Sequence, residues 1–110
     1  MRILCVCDKG VNRSVHIASE LKWAGHDTVP VGVHTAQPGT LTMLAGWADL
    51  IIATDEKQIE AIAEHVRGPL PIWLWEIRDG YSRPYNAVQH KLVRRHIDEH
   101  RERLIHLDGA

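Results

Sequence analysis

Cys7, Asp8, Lys9, Gly10, Val11, Asn12, Arg13 and Ser14 form a Cys-x5-Arg-Ser stretch near the start of the 110-residue chain. A cysteine thiolate attacks phosphorus readily, and a planar guanidinium meets two phosphate oxygens at once where an ammonium meets them only as a point charge. A loop that leaves a strand and opens a helix turns several backbone N–H groups toward one spot, and the helix end adds partial positive charge, so an oxyanion is favoured there. The same field favours the ionised thiol. Cys7 is the expected nucleophile, Arg13 the expected clamp, and residues 8–14 (Asp8, Lys9, Gly10, Val11, Asn12, Arg13, Ser14) the expected phosphate cradle. Gly10 tolerates the left-handed backbone that such a turn needs. An acidic side chain directly after the nucleophile would repel phosphate if turned inward, so Asp8 is expected to face away or to pair with Lys9 or Arg13.

The elements needed to hold this loop are legible as periodicities. Ile3 to Cys7 is a short apolar run suited to a buried strand, and Ser14 to Ala24 suits a helix ended by Gly25. Thr28 to Val33 returns to β-branched character, with Pro30 restricting it to a sheet edge or an imperfect strand. Thr35 to Thr40 reads as a loop and Leu41 to Trp47 as a short helix, followed by a strand over Ala48 to Thr54. Thr54 or Asp55 can cap a helix through Val66, stopped by Gly68-Pro69. Pro71 to Ile77 reads as strand, Arg78 to Tyr85 as loop, and a final amphipathic helix runs to about Leu107. Four strands alternating with helices predict an α/β fold in which a four-stranded parallel sheet has helices on both faces. The ligand crevice then lies at the strand ends that lead into helices. Cys7 and Asp79 both fall at such ends.

Composition narrows the field. Thirteen Lys plus Arg against fourteen Asp plus Glu give a formal charge of -1, so no overall basic field suggests nucleic acid or an anionic membrane as partner. No apolar run approaches the ~20 residues of a membrane span, and the chain reads as one soluble cytoplasmic domain over residues 1–110. Cys5 and Cys7 are read as pointing to opposite faces of their strand, which argues against a bridge between them, and Cys5 reads as strand core. His96 and His100 stand at i and i+4, a spacing that two metal ligands can share, but on the charged face of the last helix they read as solvated. Trp73 and Trp75 read as core. Trp23 and Trp47 read as core edges or exposed docking surface. No metal or cofactor is implied.

The opening strand with its Cys-x5-Arg-Ser loop resembles that of the low-molecular-weight protein tyrosine phosphatase family. Trp47-Ala48-Asp49-Leu50-Ile51-Ile52-Ala53-Thr54-Asp55-Glu56 resembles that family's third strand and following loop, and Ile77-Arg78-Asp79-Gly80-Tyr81 its late Asp-containing loop. The resemblance covers nearly the whole chain, which is closest to the family's compact, phosphatase-like relatives. It implies a phosphotyrosine phosphatase I-like three-layer sandwich. It also implies a phosphocysteine mechanism with Cys7 as nucleophile, Arg13 as clamp, Ser14 as hydroxyl donor to the thiolate, Asp79 as general acid and then base, and Tyr81 walling the substrate cleft. The implied partners are a phosphotyrosine-bearing protein or a small aryl phosphate, with inorganic phosphate or a similar oxyanion in the loop. A weak or inactive module that only binds a phosphorylated or anionic partner is the alternative. Arsenate reduction, which needs a thiol relay, and a phosphocysteine carrier stand behind both.

Overall fold

The computed structural model describes residues 1–78, 80 and 86–109, with side chains through residue 105. In chain order the elements are β1 (Arg2–Cys7), α1 (Arg13–Trp23), β2 (Asp27–Gly32), α2 (Pro38–Trp47), β3 (Leu50–Ala53), α3 (Glu56–Ala63), β4 (Ile72–Leu74) and α4 (Ala87–Gly109). All four strands are parallel, in the order β2-β1-β3-β4. The α/β architecture expected from the alternation is the one observed.

Each face of the sheet packs its own core. Ile3, Cys5, Leu50, Ile52, Trp73 and Trp75 meet Ile17, Ala18 and Leu21 of α1 and Val93, Ile97 and Leu104 of α4. On the opposite face Leu4, Val6, Val31, Ile51 and Ala53 meet Leu41 and Ala45 of α2 and Ile62 of α3. The central strands β1 and β3 carry apolar side chains to both faces, which is why they read as continuous apolar runs. Trp73 and Trp75 lie in one core as expected, and Trp47 packs at the margin of the other. Trp23, at 88% exposure, is on the surface.

Several sequence expectations need correction. Cys5 and Cys7 share a face, since alternation in a strand puts i and i+2 on the same side. Burial, and then the neighbouring Cys7, push the Cys5 thiol well above its ordinary range, and both cysteines are free. Helix α2 begins at Pro38, inside the stretch read as loop, because proline's fixed φ suits the first helical position. Helix α3 stops at Ala63 rather than Val66. Strand β4 is only three residues long, yet the Trp75 and Ile77 amides still donate to the Ala53 and Thr54 carbonyls at 2.8 and 3.2 Å. His96 and His100 are not solvated but pack on the core tryptophans. His96 stacks on Trp75 with ring centroids 5.5 Å apart, and His100 lies 5.2 Å from both Trp73 and Trp75.

Strand β2 is an edge, as Pro30 suggests. The Asp27 and Val33 amides donate to the carbonyls of Met1 and Cys7, both at 3.0 Å. By the two-residue period the odd-numbered amides of β2 therefore face β1, and the Pro30 nitrogen faces outward.

The end of β2 also meets the loop after β1 at very close range. Gly10 has φ +75°, and a Cβ placed there would lie 2.5 Å from the Gly32 nitrogen. A Cβ on Gly32 would lie 2.2 Å from the Lys9 carbonyl carbon. Two backbones thus touch where neither tolerates a side chain. Gly32→Ala is expected to destabilise the chain by about 1–3 kcal/mol through overpacking. Urea unfolding of the two proteins measures it.

Candidate active site

In the order β2-β1-β3-β4 the chain turns one way from β1 and the other way toward β3, so the loops leaving these two strands diverge and leave a crevice between them. Cys7 closes β1 on one side of that crevice, and Thr54-Asp55 follow β3 on the other.

The loop is pinned from outside. The amides of Val33 and His34 donate to the carbonyls of Cys7 and Asp8 at 3.0 Å each, and the Thr35 hydroxyl donates to the Lys9 carbonyl at 2.9 Å. With three consecutive carbonyls held outward, the turn at Gly10 brings its own amide back to Cys7 Sγ at 3.2 Å. The Ser14 hydroxyl lies 3.0 Å from the same sulfur. Helix α1 begins at Arg13 with Asn12 as its N-cap residue, and no acidic side chain in its first turn offsets the positive end of its dipole. Cys7, Gly10 and Ser14 are therefore brought together as expected. Cys7 itself is only 3% exposed.

Arg13 is also drawn inward, at 4% exposure. Its Nη1 donates to the Ile77 carbonyl at 2.9 Å, and its Nη2 pairs with Asp8 Oδ2 at 3.2 Å. Asp55 Oδ2 stands 3.9 Å from Nη1. Asp8 thus adopts one of the expected arrangements, pairing with Arg13, and it gains a second bond from Gln58 Nε2 at 3.1 Å. His34 Nε2 lies 3.9 Å from the same carboxylate. Asp79 and Tyr81, the expected acid and cleft wall, lie outside the described residues.

Sequence reasoning missed the residues that brace this arrangement. Gln58 is fully buried, and its Oε1 accepts from the Thr54 amide, the Thr54 hydroxyl and the Asp55 amide at 2.7, 2.8 and 3.2 Å. The Asp55 carboxylate in turn accepts from the Gln58 amide at 3.1 Å, completing a capping box. The Asp-x-x-Gln spacing could have revealed it. On the other side of the loop Gln89 Nε2 bridges Asn12 Oδ1 and His16 Nδ1, each at 3.0 Å. His16 Nε2 meets His90 Nδ1 at 2.9 Å. No spacing in the sequence links residues 12, 16 and 89.

Comparison of the chain with protein-family models, curated proteins and solved structures finds no match. The chemistry of the site rests on its own geometry.

That geometry offers a sulfur facing an amide and a hydroxyl at a helix N-terminus, with a guanidinium and two carboxylates at its rim. The two carboxylates work against anion binding, and Arg13 offsets them in part.

His16, behind the loop, has a depressed pKa, first because burial disfavours its charged form, then because of His90, with Glu20 acting in the opposite sense. Its folded value lies below the ordinary 6.5, so as pH falls through that region the unfolded chain takes up a proton that the folded chain refuses. The contribution of His16 to stability is fully present above pH 6.5 and is lost as the pH drops from there toward the folded value. Melting temperature against pH in metal-free buffer is expected to show this acid slope, and His16→Gln to flatten it.

Proposed function

We propose that the chain is a cysteine-dependent phosphate monoester hydrolase, acting on aryl phosphates of the phosphotyrosine class through a phosphocysteine. The observation that carries this reading is the convergence of the Gly10 amide and the Ser14 hydroxyl on Cys7 Sγ, at 3.2 and 3.0 Å, beside an inward-drawn Arg13. The all-parallel sheet with helices on both faces is compatible with the phosphotyrosine phosphatase I-like sandwich that the sequence resemblance implies.

In this mechanism the Cys7 thiolate attacks phosphorus and an S–P bond forms as the P–O bond to the leaving group breaks. Asp79, in the role implied by the resemblance, gives its proton to the departing oxygen. Water then attacks the phosphocysteine, losing a proton to the Asp79 carboxylate, and the S–P bond breaks to return the thiolate. Arg13 and the loop amides hold the equatorial oxygens throughout, where charge accumulates. No redox step is involved.

A second reading is favoured by one specific arrangement. Arg13 already has the Ile77 carbonyl, Asp8 and Asp55 around it, which suits a module that binds an oxyanion without turning it over.

Hydrolysis of p-nitrophenyl phosphate by the full chain, lost entirely in Cys7→Ser, is the expected outcome for the hydrolase. Phosphate that protects Cys7 from iodoacetamide, without any hydrolysis of the ester, selects the binding module instead. Neither turnover nor protection would overturn both readings.

Asp8 sets the strength of either activity. Removing one charge about 4 Å from a bound anion is worth about 1 kcal/mol even with water-like screening, so Asp8→Asn is expected to tighten phosphate binding about fivefold. Protection of Cys7 against alkylation, titrated with phosphate in the two proteins, measures the shift.

A further inference from the structure

A second cluster of chemically able side chains lies behind the loop, where α1 packs on α4. His16 and Glu20 are four residues apart and share one face of α1, and His90 reaches them from the first turn of α4. One ligand atom from each of the three lies within 4.8 Å of the others. We propose that His16, Glu20 and His90 form a binding site for a divalent transition-metal ion of the zinc class, held by two imidazoles and one carboxylate with a further position open to water.

The distances favour such an ion. His16 Nε2 and His90 Nδ1 are 2.9 Å apart, and His90 Nδ1 is 3.5 Å from Glu20 Oε1. Ligand atoms about 2.0–2.1 Å from a tetrahedral zinc are separated by about 3.3 Å. The carboxylate is already near that spacing from His90 and within 4.8 Å of His16. The imidazole pair must separate by a few tenths of an ångström and the His90 ring must turn, because the two rings now aim nitrogen at nitrogen, 10° from parallel with centroids 5.1 Å apart. His90 is the side chain able to move, since it is 40% exposed while His16 is fully buried. In the arrangement without an ion, one ring proton lies between the two nitrogens. With an ion there, each neutral ring keeps its single proton on its other nitrogen and turns a lone pair inward.

The surroundings supply the outer contacts that a metal-binding histidine uses. Gln89 lies 3.0 Å from His16 Nδ1 and 3.0 Å from the Asn12 side chain. With its carbonyl turned to His16, and Asn12 turned to match, Gln89 accepts the Nδ1 proton and fixes the ring with Nε2 toward the ion. Arg94 Nη1 holds the other Glu20 oxygen, Oε2, at 3.3 Å and so leaves Oε1 for the metal. Its positive charge opposes a second cation, but Arg94 is 47% exposed and screened by solvent. The site is open to solvent on the side of His90, whose side chain is 40% exposed. Histidine nitrogens with a single carboxylate select zinc, cobalt or nickel over magnesium or calcium, which take oxygen ligands.

The His96, Glu99 and His100 group is the competing candidate that the test must exclude. It too could gather three ligand atoms, and the contacts of His96 Nε2 with the Glu76 carbonyl at 3.0 Å and of His100 Nδ1 with the His96 carbonyl at 2.7 Å leave each ring its other nitrogen. Its carboxylate, Glu99, is exposed, however, and its rings pack on Trp73 and Trp75.

Titration of the full chain with cobalt(II) tests the site directly. One equivalent is expected to produce the visible ligand-field bands of a low-coordinate cobalt site, without the charge-transfer band of a thiolate ligand, and zinc to bleach them. His90→Ala and Glu20→Gln, each checked for folding by circular dichroism, are expected to weaken binding by at least about tenfold, and His96→Ala to leave it unchanged. The proposal is overturned if the unmodified chain binds no cobalt saturably, if a thiolate band appears, or if affinity follows His96 rather than His90 and Glu20. Should His90→Ala fail to fold, Glu20→Gln decides alone.

Discussion

A guanidinium taken out of water must be met by acceptors and counter-charge or it costs several kcal/mol. Arg13 meets that requirement with groups from three separate parts of the chain: Asp8 in its own loop, the Asp55 carboxylate after β3, and the Ile77 carbonyl beyond β4. These segments are far apart in sequence and come together only when the sheet has its observed order. The buried cation therefore acts as a keystone for the whole carboxyl end of the sheet. It also sets the local electrostatics, because the side chain that would greet an anion is the one two carboxylates already hold.

The brace behind those carboxylates is amide chemistry. Gln58 joins the capping box of α3 to Asp8, and Gln89 joins Asn12 to His16. The loop is thus held at both its first and last residues by neutral side chains, which orient neighbours without adding charge around Cys7 and Arg13. The contact between Gly10 and Gly32 adds a steric limit on the third side. A loop confined in this way is preorganised, and preorganised donors stabilise a developing charge at little reorganisation cost.

Much of this was legible in the sequence because periodicity carries the elements and short motifs carry loops. The apolar runs of β1 and β3, the proline at the edge of β2 and the Asp55 cap all follow from local rules, and so does the cluster of Cys7, Gly10 and Ser14. What escaped was nonlocal or depended on small steric facts. Nothing in the order of residues announces that Gly32 must lie against Lys9, or that Gln89 reaches Asn12 across 77 positions. His96 and His100 misled for a related reason: the face of α4 that carries charges also wraps onto Trp73 and Trp75, and a histidine is amphipathic enough to serve there. The shared face of Cys5 and Cys7, by contrast, was available from strand alternation alone.

The outward nitrogen of Pro30 has a consequence for how the molecule meets copies of itself. A strand at the margin of a sheet is a template for intermolecular pairing, and its free donors are what an incoming chain engages. Midway along β2, at the register position opposite Cys5, that row of donors is interrupted. Self-association through this margin would have to begin with a missing bond, so a single imino acid guards the flank against fibril-like growth while leaving the ladder to β1 intact.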